Sequence, residues 1–250
     1  MNRKGIVYFV FLSLEKMFLN MDKIGFLLFC FLLVGCNPSK GDWIELFNGK
    51  NLDGWHSYRA GDTHDGWYVE NEELIFDFKM RVESKSSNLI TDKEYTNFEL
   101  SLEWMISDHG NSGIFWGVIE DDQFDHPYQT GPEIQILDDN WKEYVEERGD
   151  INRAGSLYNL MAPSIVVSKG AGVWNHFLIH IDHNENIGYV VFNGQEVLRF
   201  PVHGLEWDEL IAKSGFADWS NFGKAKTGHI SLQDHGGKVA FKNIKIRILP

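Results

Sequence analysis

A short strand-like segment carries the first candidate for proton chemistry. Glu133 and Gln135 alternate within residues 133–137, so on a strand they share one face, while Asp138 lies near the strand end and off that face. A carboxyl group can serve as an acid or a base, whereas a Gln amide forms hydrogen bonds without transferring protons. Glu133 is therefore a candidate catalytic residue and Gln135 a candidate substrate-binding residue. A solvated strand position for Glu133 is the plainer alternative.

The second candidate lies in a glycine-rich turn. His235 belongs to the sequence Gln-Asp-His-Gly-Gly at residues 233–237, between two strand-like segments. Imidazole titrates near neutral pH, and glycine leaves space for a ligand. His235 is therefore a candidate catalytic base and Gln233 a candidate substrate contact. A turn histidine that caps backbone groups would show the same pattern.

Two further positions suit sugar binding. Asn111 offers an amide donor at the entry of a strand-like segment, and Trp116 on the following strand offers a flat ring as a sugar platform. The spacing of His176, His180 and His183 resembles a zinc site at first sight, but the apolar residues between them alternate as in a strand. That geometry separates the first two by about 13 Å, so we expect solvated strand histidines there.

These residues must be positioned by β-structure. Two weak helical patterns, at 140–147 and 207–213, have the position of connections, and Asn193-Gly194 is typical of a tight hairpin. The spacing predicts an all-β sandwich or jelly roll with antiparallel sheets, in one domain from residue 43 to residue 250. The predicted strand segments are residues 66–78, 98–106, 113–119, 133–137, 174–182, 188–192, 197–200, 228–232 and 239–248.

Composition narrows the choice of partner. The formal net charge of -13 provides no basic surface for phosphate neutralisation, which argues against nucleic acid as a partner. The 9 Trp, 8 Tyr and 18 Phe residues exceed what a small core needs, and flat aromatic faces suit the C–H faces of sugars. For any single one of these rings, a position in the core is the expectation.

The N-terminal segment has the pattern of an export signal. Residues 24–34 form an apolar run that is too short to span a bilayer of about 30 Å, and residues 33–36 (LVGC) resemble a lipobox. We expect a signal peptide at 1–35 with its true start at Met21, a lipidated Cys36 with a tether over 36–42, and a protein anchored in the cell envelope by lipid. A plain secretory signal is the alternative. With Cys30 removed and Cys36 lipidated, the folded domain has no thiol for catalysis, disulfides or metal binding.

Seven blocks, in order, resemble one family. Together they identify the sequence as similar to the 3-keto-disaccharide hydrolase family, a resemblance that implies a concanavalin A-like jelly-roll β-sandwich of two antiparallel sheets. The blocks are residues 43–55 (WIELFNGKNLDGW), 97–104 (NFELSLEW), 110–115 (GNSGIF), 131–138 (GPEIQILD), 155–158 (GSLY), 172–175 (GVWN) and 228–244 (GHISLQDHGGKVAFKNI).

The resemblance implies cleavage of glycosides that carry a ketone at sugar C3. The ketone acidifies the C2 proton, so that a base removes it, the enolate expels the group at C1, and water then adds. Such a site needs a base, a donor or cation facing the enolate oxygen, and an acid for the departing oxygen. Within the matched blocks, Tyr158 and Asp138 are further candidate substrate-binding residues. Separate sugar 3-oxidoreductases would supply the carbohydrate substrate.

The sequence departs from many relatives in two places. There is no Arg beside Trp116, which removes an anion-stabilising candidate there, and residues 138–153 contain no His. If the missing His contributes to a metal site in those relatives, this protein either lacks the metal or binds a divalent metal cofactor through a different use of Asp138 and Asp139. No cofactor is otherwise implied.

Two other functions stay open. The same fold often only binds sugar, so a non-catalytic carbohydrate-binding or lectin-like module is one alternative. A conventional jelly-roll endoglycanase is the other, and it would require a second carboxylate opposite Glu133. Gln135 occupies a position where such folds carry carboxylates in alternation, which favours the keto-sugar chemistry.

Overall fold

Two antiparallel β-sheets build the domain. The computed structural model describes residues 41–82 and 87–250; the expected signal peptide, Cys36 and the tether as far as residue 40 lie outside the described residues. The strands are β1 (Ile44–Glu45), β2 (Trp55–Ser57), β3 (Trp67–Glu70), β4 (Glu73–Asp77), β5 (Leu89–Thr91), β6 (Phe98–Ile106), β7 (Asn111–Val118), β8 (Glu133–Leu137), β9 (Asn175–Asp182), β10 (Ile187–Phe192), β11 (Gln195–Phe200), β12 (His229–Leu232) and β13 (Lys238–Ile248). The larger sheet has eight strands in the order β11-β10-β9-β6-β13-β4-β3, with β1 paired to β13, and the smaller has the order β2-β5-β12-β7-β8.

Alternating apolar side chains hold the sheets together. Along β9, every second residue from Asn175 to Ile181 is buried, and the ring of Phe177 packs 5.3 Å from that of Trp104 and 4.6 Å from that of Phe192. A period of two in burial is what a strand with one core-facing side requires. The all-β sandwich predicted from the sequence is confirmed.

In the described part of the chain, helices are few and serve as connections. The α-helices there are α1 (Lys142–Arg148) and α2 (Gly204–Ala212), and single 3₁₀ turns occur at Phe78–Met80, Pro127–Gln129 and Asp150–Asn152. Helix α2 buries Trp207 and Ile211. No helix within residues 41–82 and 87–250 is long and apolar enough to cross a membrane.

One predicted strand is interrupted by a tight turn in the structure. The segment 66–78, expected as one strand, is a hairpin of β3 and β4, because Asn71 and Glu72 adopt left-handed φ values of 52° and 63°. The Asn193-Gly194 hairpin is as predicted, with φ values of 48° and 84° between β10 and β11. The short strands β1, β2 and β5 carried too few residues to show a period.

The strand β9 carries the first two of the three closely spaced histidines. The His176 ring lies 2.9 Å from the Ser101 hydroxyl and that of His180 lies 3.2 Å from a Glu99 oxygen, so each has its own cross-strand partner. The extended geometry predicted for this segment is confirmed, but His183, which follows β9, is buried instead of solvated.

Candidate active site

One cavity of ≈ 240 Å³ opens over the smaller sheet, and six of the predicted site residues meet in it. The six come from four chain segments that are remote in sequence. The residues lining the cavity are Asn111, Tyr128, Glu133, Gln135, Tyr144, Tyr158, Phe216, Trp219, Gln233 and His235.

Strand pairing explains how these segments converge. Strand β7 lies between β8 and β12, with Gly113 opposite Gln135 in register. Beyond the end of β12 the chain continues along β7: the Gln233 N–H donates to the Gly113 carbonyl (2.9 Å), and Gly236 and Asn111 exchange both backbone hydrogen bonds at 3.0 and 2.9 Å. The turn that carries His235 is therefore an extension of the sheet on which Glu133 lies.

Glu133 is buried at the edge of this sheet. Only 8% of the residue is exposed, and burial raises the pKa of its carboxyl group to about 8. The Gln135 amide, oriented so that its nitrogen faces the carboxyl, donates to Glu133 Oε1 at 3.0 Å and to the Ser112 carbonyl at 3.1 Å. Across the ladder, a Cβ atom on Gly113 would overlap Oε1 of Glu133, so the absent side chain makes room for this carboxyl. A carboxyl group with this pKa is mainly protonated at neutral pH.

The pKa of His235 is shifted in the direction opposite to that of Glu133. The His235 side chain lines the cavity, and desolvation by the surrounding atoms lowers the pKa of its imidazole, against the raising effect of Asp234. Asp234 itself is buried: its carboxylate accepts from the Ser87 N–H (2.5 Å) and lies 3.6 Å from a guanidinium nitrogen of Arg81. These contacts fix the turn, so that His235 faces the cavity as a neutral imidazole and hence a base.

Two tyrosines complete the polar part of the cavity. Burial raises the pKa of Tyr158 to about 12, so its phenol stays protonated and can donate a hydrogen bond. Its position follows from the backbone, because the Tyr158 N–H donates to the Glu133 carbonyl (2.9 Å) and the Gly155 N–H to the Gln135 carbonyl (2.9 Å). The Asn111 amide nitrogen lies 3.5 Å from the Tyr144 hydroxyl.

Two predicted substrate-binding residues lie outside the cavity lining. Trp116 is 5% exposed, and its ring packs in the core 5.8 Å from that of Phe200. It lies an odd number of residues from Asn111 on β7, so strand alternation directs its side chain into the sandwich interior. Asp138 is fully buried, and its carboxylate accepts from the backbone N–H groups of His109 and Asn140, both at 3.1 Å. Trp116 thus has a core position instead of the expected sugar platform, and Asp138 stabilises the turn after β8.

The lining also contains four residues that the sequence did not single out. Tyr144 comes from α1, Tyr128 from the 3₁₀ turn Pro127–Gln129, and Phe216 and Trp219 from the loop after α2. The sequence holds one signal that could have pointed to them: Phe216, Trp219 and Phe222 cluster within seven residues of a connection. Sequence reasoning places such rings in the core by default.

The acidic residues considered for a metal have other partners. The Asp139 carboxylate accepts from the Ala154 N–H (3.0 Å), and burial raises its pKa. Within the part of the chain that the structure describes, no group of three or more His, Cys, Asp or Glu side chains is arranged to hold a metal ion.

Comparison with known proteins agrees with this architecture. Residues 42–247 match the family of the 3-keto-alpha-glucoside-1,2-lyase-like domain. A protein of Bacteroides thetaiotaomicron named 3-keto-disaccharide hydrolase is 29% identical over 231 residues, which cover 83% of this chain and 78% of that protein. Two crystal structures of Parabacteroides distasonis proteins, assigned as glycosyl hydrolases, are similar. One is 30% identical with a TM-score of 0.76, covering 83% of this chain and 94% of that chain. The other is 25% identical with a TM-score of 0.61, covering 83% and 100%.

The family match supports a hydrolase-like enzyme, and the sandwich offers such an enzyme one cavity lined by a buried carboxyl, an imidazole and tyrosines. Within that class, the chain belongs to the family of 3-keto-alpha-glucoside-1,2-lyase-like domains, whose match spans the described domain almost from end to end.

Proposed function

We propose that this protein cleaves 3-keto-glycosides by removing the C2 proton, eliminating the group at C1 and adding water. The observation that carries the proposal is the pairing of a protonated carboxyl with a neutral imidazole in one cavity. Opposite pKa shifts in two groups of one site are how enzymes obtain an acid and a base at the same pH. The family match and the name of the Bacteroides relative support the substrate class.

In this mechanism His235 takes the C2 proton. The electron pair of the broken C–H bond is delocalised onto the C3 oxygen as an enolate, for which the Tyr158 phenol and the Asn111 amide are the available donors. The enolate then forms the C1–C2 double bond as the C1–O bond breaks, and Glu133 gives its proton to the departing oxygen. The products of this half are an alcohol and an unsaturated 3-keto sugar.

The second half returns both groups to their starting states. Glu133, now a carboxylate, removes a proton from water as the water oxygen adds to C1, and the imidazolium of His235 returns a proton to C2. The net reaction is hydrolysis. A protein that stopped after elimination would be a lyase, and it would release an unsaturated ketone that absorbs in the ultraviolet.

The cavity gives less support to a conventional endoglycanase. Retaining and inverting glycosidases both place two carboxyl groups across the scissile bond. Among the described residues that line this cavity, Glu133 is the one carboxylate. A lectin-like module would need neither the raised pKa of Glu133 nor the space that Gly113 leaves for it.

The test is incubation of the purified protein with a 3-keto-disaccharide and with its unoxidised parent, in heavy water. We expect C2 deuterium exchange and cleavage of the ketone alone. Equal cleavage of the parent would favour the endoglycanase, and binding of both sugars without cleavage would favour the lectin.

Substitutions then test the roles of the two groups. Glu133→Gln and His235→Ala should each slow turnover by about 10²-fold or more, because each removes proton transfer. Gln135→Ala should slow it less, since it removes a hydrogen bond alone. Glu99→Gln is the control for loss of a buried strand carboxylate away from the site: Glu99 lies on β6, in the sheet opposite the cavity, so its substitution should lower stability without changing kcat of the folded protein. Unchanged turnover in both Glu133→Gln and His235→Ala would refute the placement of the active site.

The proposal includes a location. Residues 33–36 have the lipobox pattern, so we infer an envelope protein anchored through lipid on Cys36. The ketone of its substrate must come from an oxidation at sugar C3 carried out by a separate oxidoreductase.

A further inference from the structure

The cavity has a second side made of aromatic rings. Tyr128, Phe216 and Trp219, here called the aromatic wall, line it together with the polar residues of the sheet. The Tyr128 and Trp219 rings lie 5.8 Å apart with planes inclined by 31°, and the Phe216 and Trp219 rings lie 5.2 Å apart. The mechanism proposed above uses none of these three residues.

Backbone and ring contacts hold the wall in place. The Phe216 N–H donates to the Ser214 hydroxyl (3.0 Å), and the Trp219 N–H donates to the Phe216 carbonyl (2.9 Å). The Phe216 ring stacks at 4.0 Å on Phe222, which is 1% exposed in the core. The wall is therefore an arranged surface that needs little ordering when a ligand binds.

Tyr128 is fixed from the other direction. Its ring stacks on that of His126 at 4.8 Å with planes inclined by 15°, and the His126 N–H donates to the Gln129 side chain at 2.9 Å. Tyr128 is nevertheless 36% exposed, and Phe216 and Trp219 are half-buried. A native protein that keeps three adjoining rings partly open to solvent, at the edge of a polar cavity, has a surface suited to a flat apolar ligand group.

We infer that the aromatic wall binds the group that leaves from C1, and that it selects leaving groups with a flat apolar face. This inference rests on the proposed function. The groups that act on C2, the enolate oxygen and the departing oxygen come from the smaller sheet and the segments paired with it, so the keto sugar must lie against them. Tyr158 adjoins the wall, with its ring 6.5 Å from that of Phe216. The remainder of the substrate then faces the wall. An aryl ring or the C–H face of a second pyranose supplies the required surface.

Three substrates test the assignment: the methyl and phenyl 3-keto-glucosides and a 3-keto-disaccharide. Trp219→Ala should lower kcat/KM about 10-fold for the phenyl glycoside, the disaccharide or both, a change of about 1.4 kcal/mol, and by less than about 2-fold for the methyl glycoside. Comparing each substrate with itself between variants cancels differences in leaving-group acidity. A loss for the phenyl substrate alone assigns an aryl group, and a loss for the disaccharide alone assigns a sugar.

Controls separate recognition from damage to the fold. Trp219→Phe keeps a flat ring and should recover most of the lost kcat/KM. Trp43→Ala removes another partly exposed tryptophan, 36% exposed and packed on Arg247, and should leave all three substrates unchanged. Equal loss for all three substrates in Trp219→Ala, or no loss for any, would overturn the inference.

A binding measurement keeps this result distinct from failure of the proposed function. Calorimetry with phenyl and methyl glucosides that lack the ketone requires no turnover. Tighter binding of the phenyl compound, lost in Trp219→Ala, would support the wall even if the wild type cleaved no 3-keto-glycoside, whereas no difference in binding would count against it.

Discussion

Removing the ionisable carboxyl of Glu133 should make the protein more stable. The ordinary pKa of 4.5 rises to about 8 in the folded protein. A group with a raised folded pKa stabilises the fold fully below its unfolded pKa, and this contribution is lost as pH rises towards the folded value. Each pH unit in that window is worth about 1.4 kcal/mol. At pH 7 the unfavourable contribution is therefore about 3 kcal/mol, and at pH 5 it is about 1 kcal/mol.

The substitution Glu133→Gln isolates this contribution. Glutamine keeps the shape, and its side-chain oxygen can still accept the hydrogen bond from Gln135. Chemical denaturation of both proteins at pH 5, 6 and 7 should show a stability gain that widens by about 2 kcal/mol over the range. At pH 7 the unfolding midpoint should rise by roughly 6 to 12 °C for a domain of this size.

The control substitution, at Glu99, should change stability in the opposite direction. Glu99 is also buried in a strand, but it is paired with Arg247 and His180, so Glu99→Gln breaks a pair and should destabilise the protein. If Glu133→Gln were no more stable than the wild type at pH 7, or if the gap did not widen from pH 5, Glu133 would be ionised in the folded state. It would then be unable to act as the acid proposed here.

Two further outcomes follow from the same site, and a third follows from the N-terminal sequence. The plot of kcat/KM against pH should fall on the alkaline side near pH 8, where Glu133 loses its proton, and on the acid side below the lowered pKa of His235. If the residual activity of Glu133→Gln kept the same alkaline limb, the assignment of that limb to Glu133 would be wrong. Gly113→Ala should reduce turnover more than about 10-fold, because the added Cβ displaces the Glu133 carboxyl, and a crystal structure with that carboxyl unmoved would disprove the reason. Mass spectrometry of the native membrane fraction should show an acylated N-terminal Cys36, and Cys36→Ser should lose membrane association; a membrane-bound, normally processed Cys36→Ser protein would refute lipidation.

Much of the polar site could be predicted because it depends on local pattern. The alternation in residues 133–137 was enough to place Glu133 and Gln135 on one strand face, and the structure gives that strand the same bounds. The turn carrying His235 could be recognised from its glycines and from the strands on either side. Strand pairing then brings these segments together, as a sandwich with antiparallel sheets requires.

The remaining features depend on contacts that sequence spacing does not encode. Trp116 and Asn111 differ by an odd number of positions, so alternation along β7 sends their side chains to opposite faces; this parity could have excluded Trp116 from the site. The aromatic wall could not be found in this way, because Phe216 and Trp219 lie on a connection whose path is set by tertiary contacts with the core. The burial that raises the pKa of Glu133 likewise arises from packing.

The matched block at residues 155–158 protects the strand that carries Glu133. Strand β8 is at the edge of the smaller sheet, and an uncovered edge would leave the backbone around Glu133 open to water. Instead, Gly155 and Tyr158 donate backbone hydrogen bonds to β8, and Leu157 bridges to Ile134. The same loop therefore closes the sheet edge and places the Tyr158 phenol in the cavity that Glu133 lines. Protection of the edge strand and the position of Tyr158 beside the proposed acid are two consequences of a single set of contacts.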